Sequence, residues 1–324
     1  MEVFQTTKIY DFTKYSFYGL IVSIILCLGS IVLIVTKDFK LGIDFAGGSI
    51  VQIQYDAISQ APLSQIREIL SQHEEFKGFQ VSEFGAPNEV LIKLPLVENP
   101  KASTLQVIQE ILKPTGEFSI RRNDEIGAKV GDEFKYKGIL SLTLAFIAMM
   151  IYISFRYEWR FALAGIVALM HDVILASAVV ILADIDFNLE VLAALLTLIG
   201  YSINDTIIIF DRIREQMLVK RVNDMKYVIN EALSRTLSRT LLTSLTVFFV
   251  VLTLYLFGGE IIRGFSLPML TGVIIGTYSS MFVAPRLALV FGFNLEEYYQ
   301  KEMKKLKKQE NKKRLRAMYE KGVV

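Results

Sequence analysis

Apolar residues along this chain arrive in long blocks. Six stretches, at about 16–36, 138–155, 162–183, 189–210, 240–257 and 267–291, are dominated by Ile, Leu, Val, Phe and Ala. Each approaches the ~20 residues with which an α-helix crosses a ~30 Å hydrocarbon layer. The pattern predicts a polytopic α-helical membrane protein with six transmembrane helices. The first block, Phe17 to Val35, is longer than the apolar part of a signal peptide. Thr36-Lys37-Asp38-Phe39 follows it in place of a small-residue cleavage site, so it reads as an uncleaved anchor.

Residues 37–137 follow a different rule. Ser49 to Tyr55 alternates like a half-buried strand. Pro62 opens a helical pattern with apolar positions at Leu63, Ile66, Ile69 and Leu70. Phe79–Phe84 and Val90–Leu94 read as a strand pair across a turn at Gly85-Ala-Pro-Asn88. Leu105, Ile108, Ile111 and Leu112 mark a second helix ended by Pro114 and Gly116, and Glu117–Arg121 is a last strand. The order βαββαβ predicts an α+β ferredoxin-like external domain between spans 1 and 2. The expected organisation is an N-terminal segment 1–15, span 1 at 16–36, the external domain at 37–137, spans 2–6 within 138–291, a basic loop at 211–239 and a basic tail at 292–324.

Composition changes this picture little. A hydrophobic content of 52% and a mean hydropathy of +0.42 average over two materials, and exclude a purely soluble globule, a disordered chain and a secreted disulfide scaffold. The single cysteine, Cys27, cannot form an internal disulfide. Charge carries more, once divided among the connections. Lys8 and Lys14 precede span 1, Arg156 and Arg160 join spans 2 and 3, and Arg212, Arg214, Lys220, Arg221, Lys226, Arg235 and Arg239 join spans 4 and 5. Residues 301–321 add ten more basic side chains. The alternate connections hold Asp184 and Asp186, or Arg263 alone, and residues 37–137 have 12 basic and 15 acidic residues. The positive-inside rule then places both termini in the cytoplasm and residues 37–137 outside it. The tail reads as a solvated charged helix, or as an arm for anionic lipid or ribosomal RNA.

Ionisable groups within the spans are the candidate chemistry, because charge in hydrocarbon is costly and faces a bundle interior or an ion path. Asp172 follows His171 in span 3, and Asp205 ends Gly200-Tyr-Ser202-Ile-Asn204-Asp205 in span 4. A rise of ~1.5 Å per residue puts Asp205 about 24 Å and Arg239 about 27 Å below the outer face. That common depth predicts an Asp205–Arg239 ion pair, broken when Asp205 takes a proton, with Asp172 at about 16 Å as a second station. No P-loop occurs, and Gly200-Tyr-Ser202-Ile-Asn204 breaks the G-x-S-x-G pattern of a hydrolase elbow. No Cys/His cluster suggests a metal, and no cofactor is expected.

Leu41-Gly-Ile-Asp-Phe-Ala-Gly47-Gly48, Ile126-Gly-Ala-Lys-Val-Gly131, Ile199-Gly-Tyr-Ser-Ile-Asn-Asp-Thr206 and Phe210-Asp211-Arg212-Ile-Arg214-Glu215 together resemble the SecF family of bacterial protein-export subunits. Ser238-Arg-Thr-Leu241 and Tyr255-Leu-Phe-Gly-Gly259 fit as well. The resemblance implies a non-enzymatic subunit of the cytoplasmic membrane, driven by a proton or sodium gradient. It implies a SecD-like partner completing a twelve-span assembly similar to resistance–nodulation–division transporters, the SecYEG channel, an unfolded preprotein as cargo and membrane lipids around it, with no nucleic acid. It also implies that Asp205 is the titrating carboxylate, that Arg239 is its basic counterpart, and that Asp211, Arg212 and Arg214 position the end of span 4. Two other readings stand beside this one: half of a small-molecule or lipid exporter of the same superfamily, and a passive scaffold that only binds the channel.

Overall fold

The computed structural model describes residues 8–97, 103–220 and 224–292, and residues 303–304, 307–308 and 310–312 of the basic tail. The rest of the tail, residues 1–7 and Arg221 lie outside the described residues. Helix α1 (Phe12–Lys37) leads through a single turn, α2 (Ile43–Ala46), into the small domain. That domain runs β1 (Gly48–Tyr55), α3 (Leu63–Ser71), β2 (Gln80–Phe84), β3 (Ala86–Pro95), α4 (Thr104–Ile111) and β4 (Phe118–Ile126). Then come α5 (Ala128–Arg156), α6 (Trp159–Leu182), α7 (Leu189–Lys220), α8 (Met225–Phe257) and α9 (Gly259–Tyr278). A π-turn at Ser279–Val283 joins α9 to α10 (Ala284–Val290) as one continuous span. Among the described residues, six helices are long and apolar enough to cross a membrane.

The four strands form an antiparallel sheet in the order β2-β3-β1-β4, the ferredoxin-like arrangement that the βαββαβ order predicts. Alternation sends Val51, Ile53 and Tyr55 of β1 and Val90, Ile92 and Leu94 of β3 to one face. There they pack on Ile66 and Leu70 of α3 and on Ile108 and Leu112 of α4. The buried Tyr55 hydroxyl is satisfied by Thr115 Oγ1 at 2.6 Å. The opposite face is polar, and from it Gln80 donates a hydrogen bond to Asp186 in the α6–α7 connection. The domain thus rests on the near end of the bundle.

Several helices are longer than their apolar blocks. Helix α7 continues to Lys220 and α8 begins at Met225, so the described residues of 211–239 are almost all helical. Helix α5 begins at Ala128, before the apolar block at 138, and α9 begins at Gly259, before 267. Hydropathy marks where a helix meets lipid, whereas Arg, Glu, Lys and Met propagate the same helix into water. At the far end the start of α1 is tied to α8, with Tyr10 N donating to Ser234 Oγ at 2.9 Å and Thr13 N to Asn230 Oδ1 at 2.8 Å.

Helices α6, α7 and α9 are more than half buried along their apolar windows, while α1, α5 and α8 expose most of theirs. The bundle has two apolar cores. The near one gathers Ala176 and Val180, Val191 to Leu198, Val251, Met269 and Val273. The far one gathers Phe161 to Leu169, Ile199 to Met217, Val228 to Leu233 and Met281 to Ala288. Along α6, α8 and the α9 span, polar side chains lie between near-core and far-core residues, whereas on α7 Ser202 and Asp205 lie just inside the far core.

Ile53 is fully buried between sheet and helices, so Ile53→Ala should cost ~2–5 kcal/mol. Gln54→Ala, on the opposite face, should cost little. Trypsin resistance of the external domain in the full chain reads the difference, and equal resistance of the two variants contradicts the assigned core.

Candidate ion-coupling site

Four helices bring hydroxyls and two carboxylates together where the apolar cores meet. Asp172 of α6 is fully buried. Ser202 of α7 donates to its Oδ2 at 2.5 Å, Ser279 of the π-turn donates to the same oxygen at 2.7 Å, and His171 Nδ1 lies 2.9 Å from its Oδ1. An ionised carboxylate away from water needs such donors, because its desolvation costs several kcal/mol and each bond to a charged group returns ~1.5–3 kcal/mol. Asp172 therefore holds α6, α7 and the π-turn on one side chain. π-Turns inside helices mark functional positions with some regularity, and here the turn begins at Ser279 itself. His171 Nε2 is buried and has no hydrogen-bond partner among the described residues.

Asp205 lies three residues beyond Ser202 on α7 and is 2% exposed. Its side-chain partner is Ser244 of α8, which donates to Oδ2 at 3.2 Å. Thr277 of α9 follows, its Oγ1 2.7 Å from Ser244 Oγ. Among the described residues Asp205 thus has one side-chain hydroxyl donor, where Asp172 has two and the His171 ring beside it.

The expected Asp205–Arg239 ion pair is not formed. Arg239 is exposed and has no carboxylate within ion-pairing distance among the described residues. Part of the reason is angular. At ~100° per residue, Arg239 lies about 140° around α8 from Ser244, so the face that reaches Asp205 carries Ser244 and Thr240. The difference is axial as well: Ser244 is the residue level with Asp205, and Arg239 lies five residues, about 7.5 Å, from it along α8. Arg239 instead lines a far-end cleft of about 430 Å³ with Asp211, Arg212, Glu215 and Arg235.

The remaining expected residues divide by face. Gly200 and Asn204 lie on the exposed side of α7, opposite Ser202 and Asp205. Asp211 pins the far end of α7: Arg156 Nη2 donates to its Oδ2 at 2.5 Å and Tyr157 Oη to its Oδ1 at 2.7 Å. Burial and the facing Asp211 carboxylate both push the Tyr157 phenol up from its ordinary value. Arg212 pairs with Glu215 at 2.5 Å, and Arg214 reaches the Arg156 carbonyl at 3.4 Å. Gly47 and Gly48, at φ +81° and +148°, turn the chain from α2 into β1 in backbone conformations that L side chains rarely adopt. Ser244, Thr277 and Ser279 were not singled out by sequence reasoning. Their signal is hydroxyls within apolar spans, opposite known carboxylates.

The family described as protein export membrane protein SecD/SecF, C-terminal, matches residues 107–294, and the SecD/SecF GG motif matches residues 32–57. The protein translocase subunit SecF of Helicobacter pylori strain 26695 is 57% identical over 325 residues, covering 100% of this chain and of its own. Its counterpart in Escherichia coli O157:H7 is 35% identical and covers 92% of this chain and 93% of its own. Among solved structures, SecDF from Thermus thermophilus, described as a translocon-associated membrane protein, superposes with a TM-score of 0.76 at 27% identity over 89% of this chain. This chain spans 39% of that SecDF chain.

Removing one donor to Asp172, by Ser202→Ala or Ser279→Ala, should destabilise the bundle by ~1.5–3 kcal/mol. Asn204→Ala, on the exposed face, should be neutral. Thermal unfolding in detergent measures this, and three indistinguishable transitions contradict the network.

Proposed function

The chain belongs to the SecF family of protein translocase subunits, and from that membership we propose how its buried polar layer serves Sec-dependent protein export. It is a multi-pass inner-membrane protein of that family. In the proposed reading it joins a SecD-like half, and the pair draws an unfolded preprotein outward from the SecYEG channel. The energy comes from an ion gradient, with no nucleotide hydrolysed on this chain. Both termini face the cytoplasm, residues 37–137 lie outside it, and the basic tail follows span 6 on the cytoplasmic side.

The observation that carries this reading is the unequal pair of buried carboxylates. Asp205 is the proposed coupling group: buried in the bundle and, among the described residues, held by one side-chain hydroxyl, that of Ser244. Protonation removes its charge and leaves Ser244 free to turn toward Thr277. Asp172, bound by two serines and His171, is the second station and the fixed point against which α7 moves. Proton or sodium serves equally in this scheme, since both neutralise the carboxylate.

The exposed polar positions support a missing half. Gly200, Asn204 and Arg239 are exposed among the described residues. Small and polar residues on a span favour close helix contact over lipid. A SecD-like bundle against α7 and α8 would cover them. A small-molecule exporter half would leave the channel subunits behind on purification in mild detergent, whereas the export subunit retains them.

In inverted vesicles containing the channel and partner half, Asp205→Asn should leave assembly intact and lower gradient-stimulated export to the unstimulated level. A passive scaffold predicts no change. Undiminished stimulation overturns the coupling role.

A further inference from the structure

Resting on the reading of Asp205 as the coupling carboxylate, we propose that Asp44 is a positioning residue that fixes the near end of α7 to the external domain, so that the two move as one body. Asp44 lies in the single turn α2, immediately before the strand that opens that domain. Its Oδ2 accepts a hydrogen bond from Leu189 N, the first residue of α7, at 2.9 Å. Asn188 already caps this helix from within, accepting from Val191 N at 2.9 Å. The Asp44 bond is therefore a second cap, supplied by a distant segment, and its distinct effect is to join the two. A carboxylate suits the place, because the start of a helix carries the positive end of its dipole.

The joint around it has little slack. Leu41 and Phe187 form a parallel β-bridge. Gly42 N donates to the Phe187 carbonyl at 2.8 Å and Phe187 N to the Lys40 carbonyl at 2.7 Å. The Phe187 ring packs on Phe39 and Phe45 with centroids 4.7 and 5.7 Å away, and Phe45 is 3% exposed. Lys40 Nζ lies 3.1 Å from Asp186, which also accepts from Gln80 of β2. Main-chain bonds, an aromatic cluster, an ion pair and a helix cap thus converge on the first turn of α7. Asp205 lies about 24 Å along the same helix. A continuous helix transmits displacement along its axis, so a shift of the external domain reaches the carboxylate as a shift of α7. The reverse holds as well.

Two variants test the joint in vesicles that export with and without a gradient. Asp44→Asn keeps an acceptor for Leu189 N and should retain stimulation. Asp44→Ala loses it and should lower stimulation by about fivefold, the scale of a lost helix cap, with gradient-independent export unchanged. Equal stimulation in Asp44→Ala and the unaltered chain overturns the proposal. If Asp44→Ala fails to accumulate, a disulfide decides. Leu41→Cys with Phe187→Cys, in a Cys27→Ser background, locks the bridge, and oxidised vesicles should be stimulated as well as reduced ones. Loss on oxidation, restored by a thiol reductant, means that the joint must open and overturns the proposal. Asp205→Asn is the control. Its failure to abolish stimulation contradicts the coupling reading and the positioning role with it, whereas its success beside a wild-type Asp44→Ala contradicts the positioning role alone.

Discussion

A carboxylate in the middle of an apolar bundle must find donors or give up its charge, and the architecture of this protein is arranged around two that are treated differently. Asp172 is held by Ser202, Ser279 and His171. Asp205 is held by Ser244. These contacts set where α6, α7, α8 and α9 meet, and they separate the near apolar core from the far one. The cores supply the burial, at roughly 25 cal/mol per Å² of apolar surface. The polar layer between them supplies registry, since sliding any of the four helices by one turn would strand a buried charge.

Helix α7 bears contacts from the external domain's entry turn, from the buried polar layer and from the α5–α6 corner. At its near end Asn188 and Asp44 satisfy its first N–H groups. In its middle it carries Ser202 and Asp205. At its far end Asp211 is gripped by Arg156 and Tyr157 from the α5–α6 corner. A change of charge at Asp205 therefore acts on a helix anchored at both ends, which favours a concerted shift of the attached parts over a local rearrangement.

Much of this was legible in the chain itself. Block hydropathy identifies six spans, and period-two and helical patterns in 37–137 identify the βαββαβ domain, because burial on one face or all round leaves a direct trace in residue type. The register and direction of facing helices were not legible: Arg239 lies about 7.5 Å along α8 and about 140° around it from Ser244, the residue that meets Asp205. Helix ends were also hidden, as polar residues that extend α7 and α8 beyond the membrane look like loop in a hydropathy profile. The role of Asp44 depends on a contact 145 positions away in the chain, which no local pattern reports.

The central claim, that Asp205 is the group in the polar layer that binds and releases the coupling ion, is tested most directly by pH-titrated infrared difference spectroscopy of the assembled complex in membranes. A carbonyl stretch of a protonated carboxylic acid should grow as the pH falls, disappear in Asp205→Asn and persist in Asp44→Asn. An unchanged titrating band in Asp205→Asn would contradict the account.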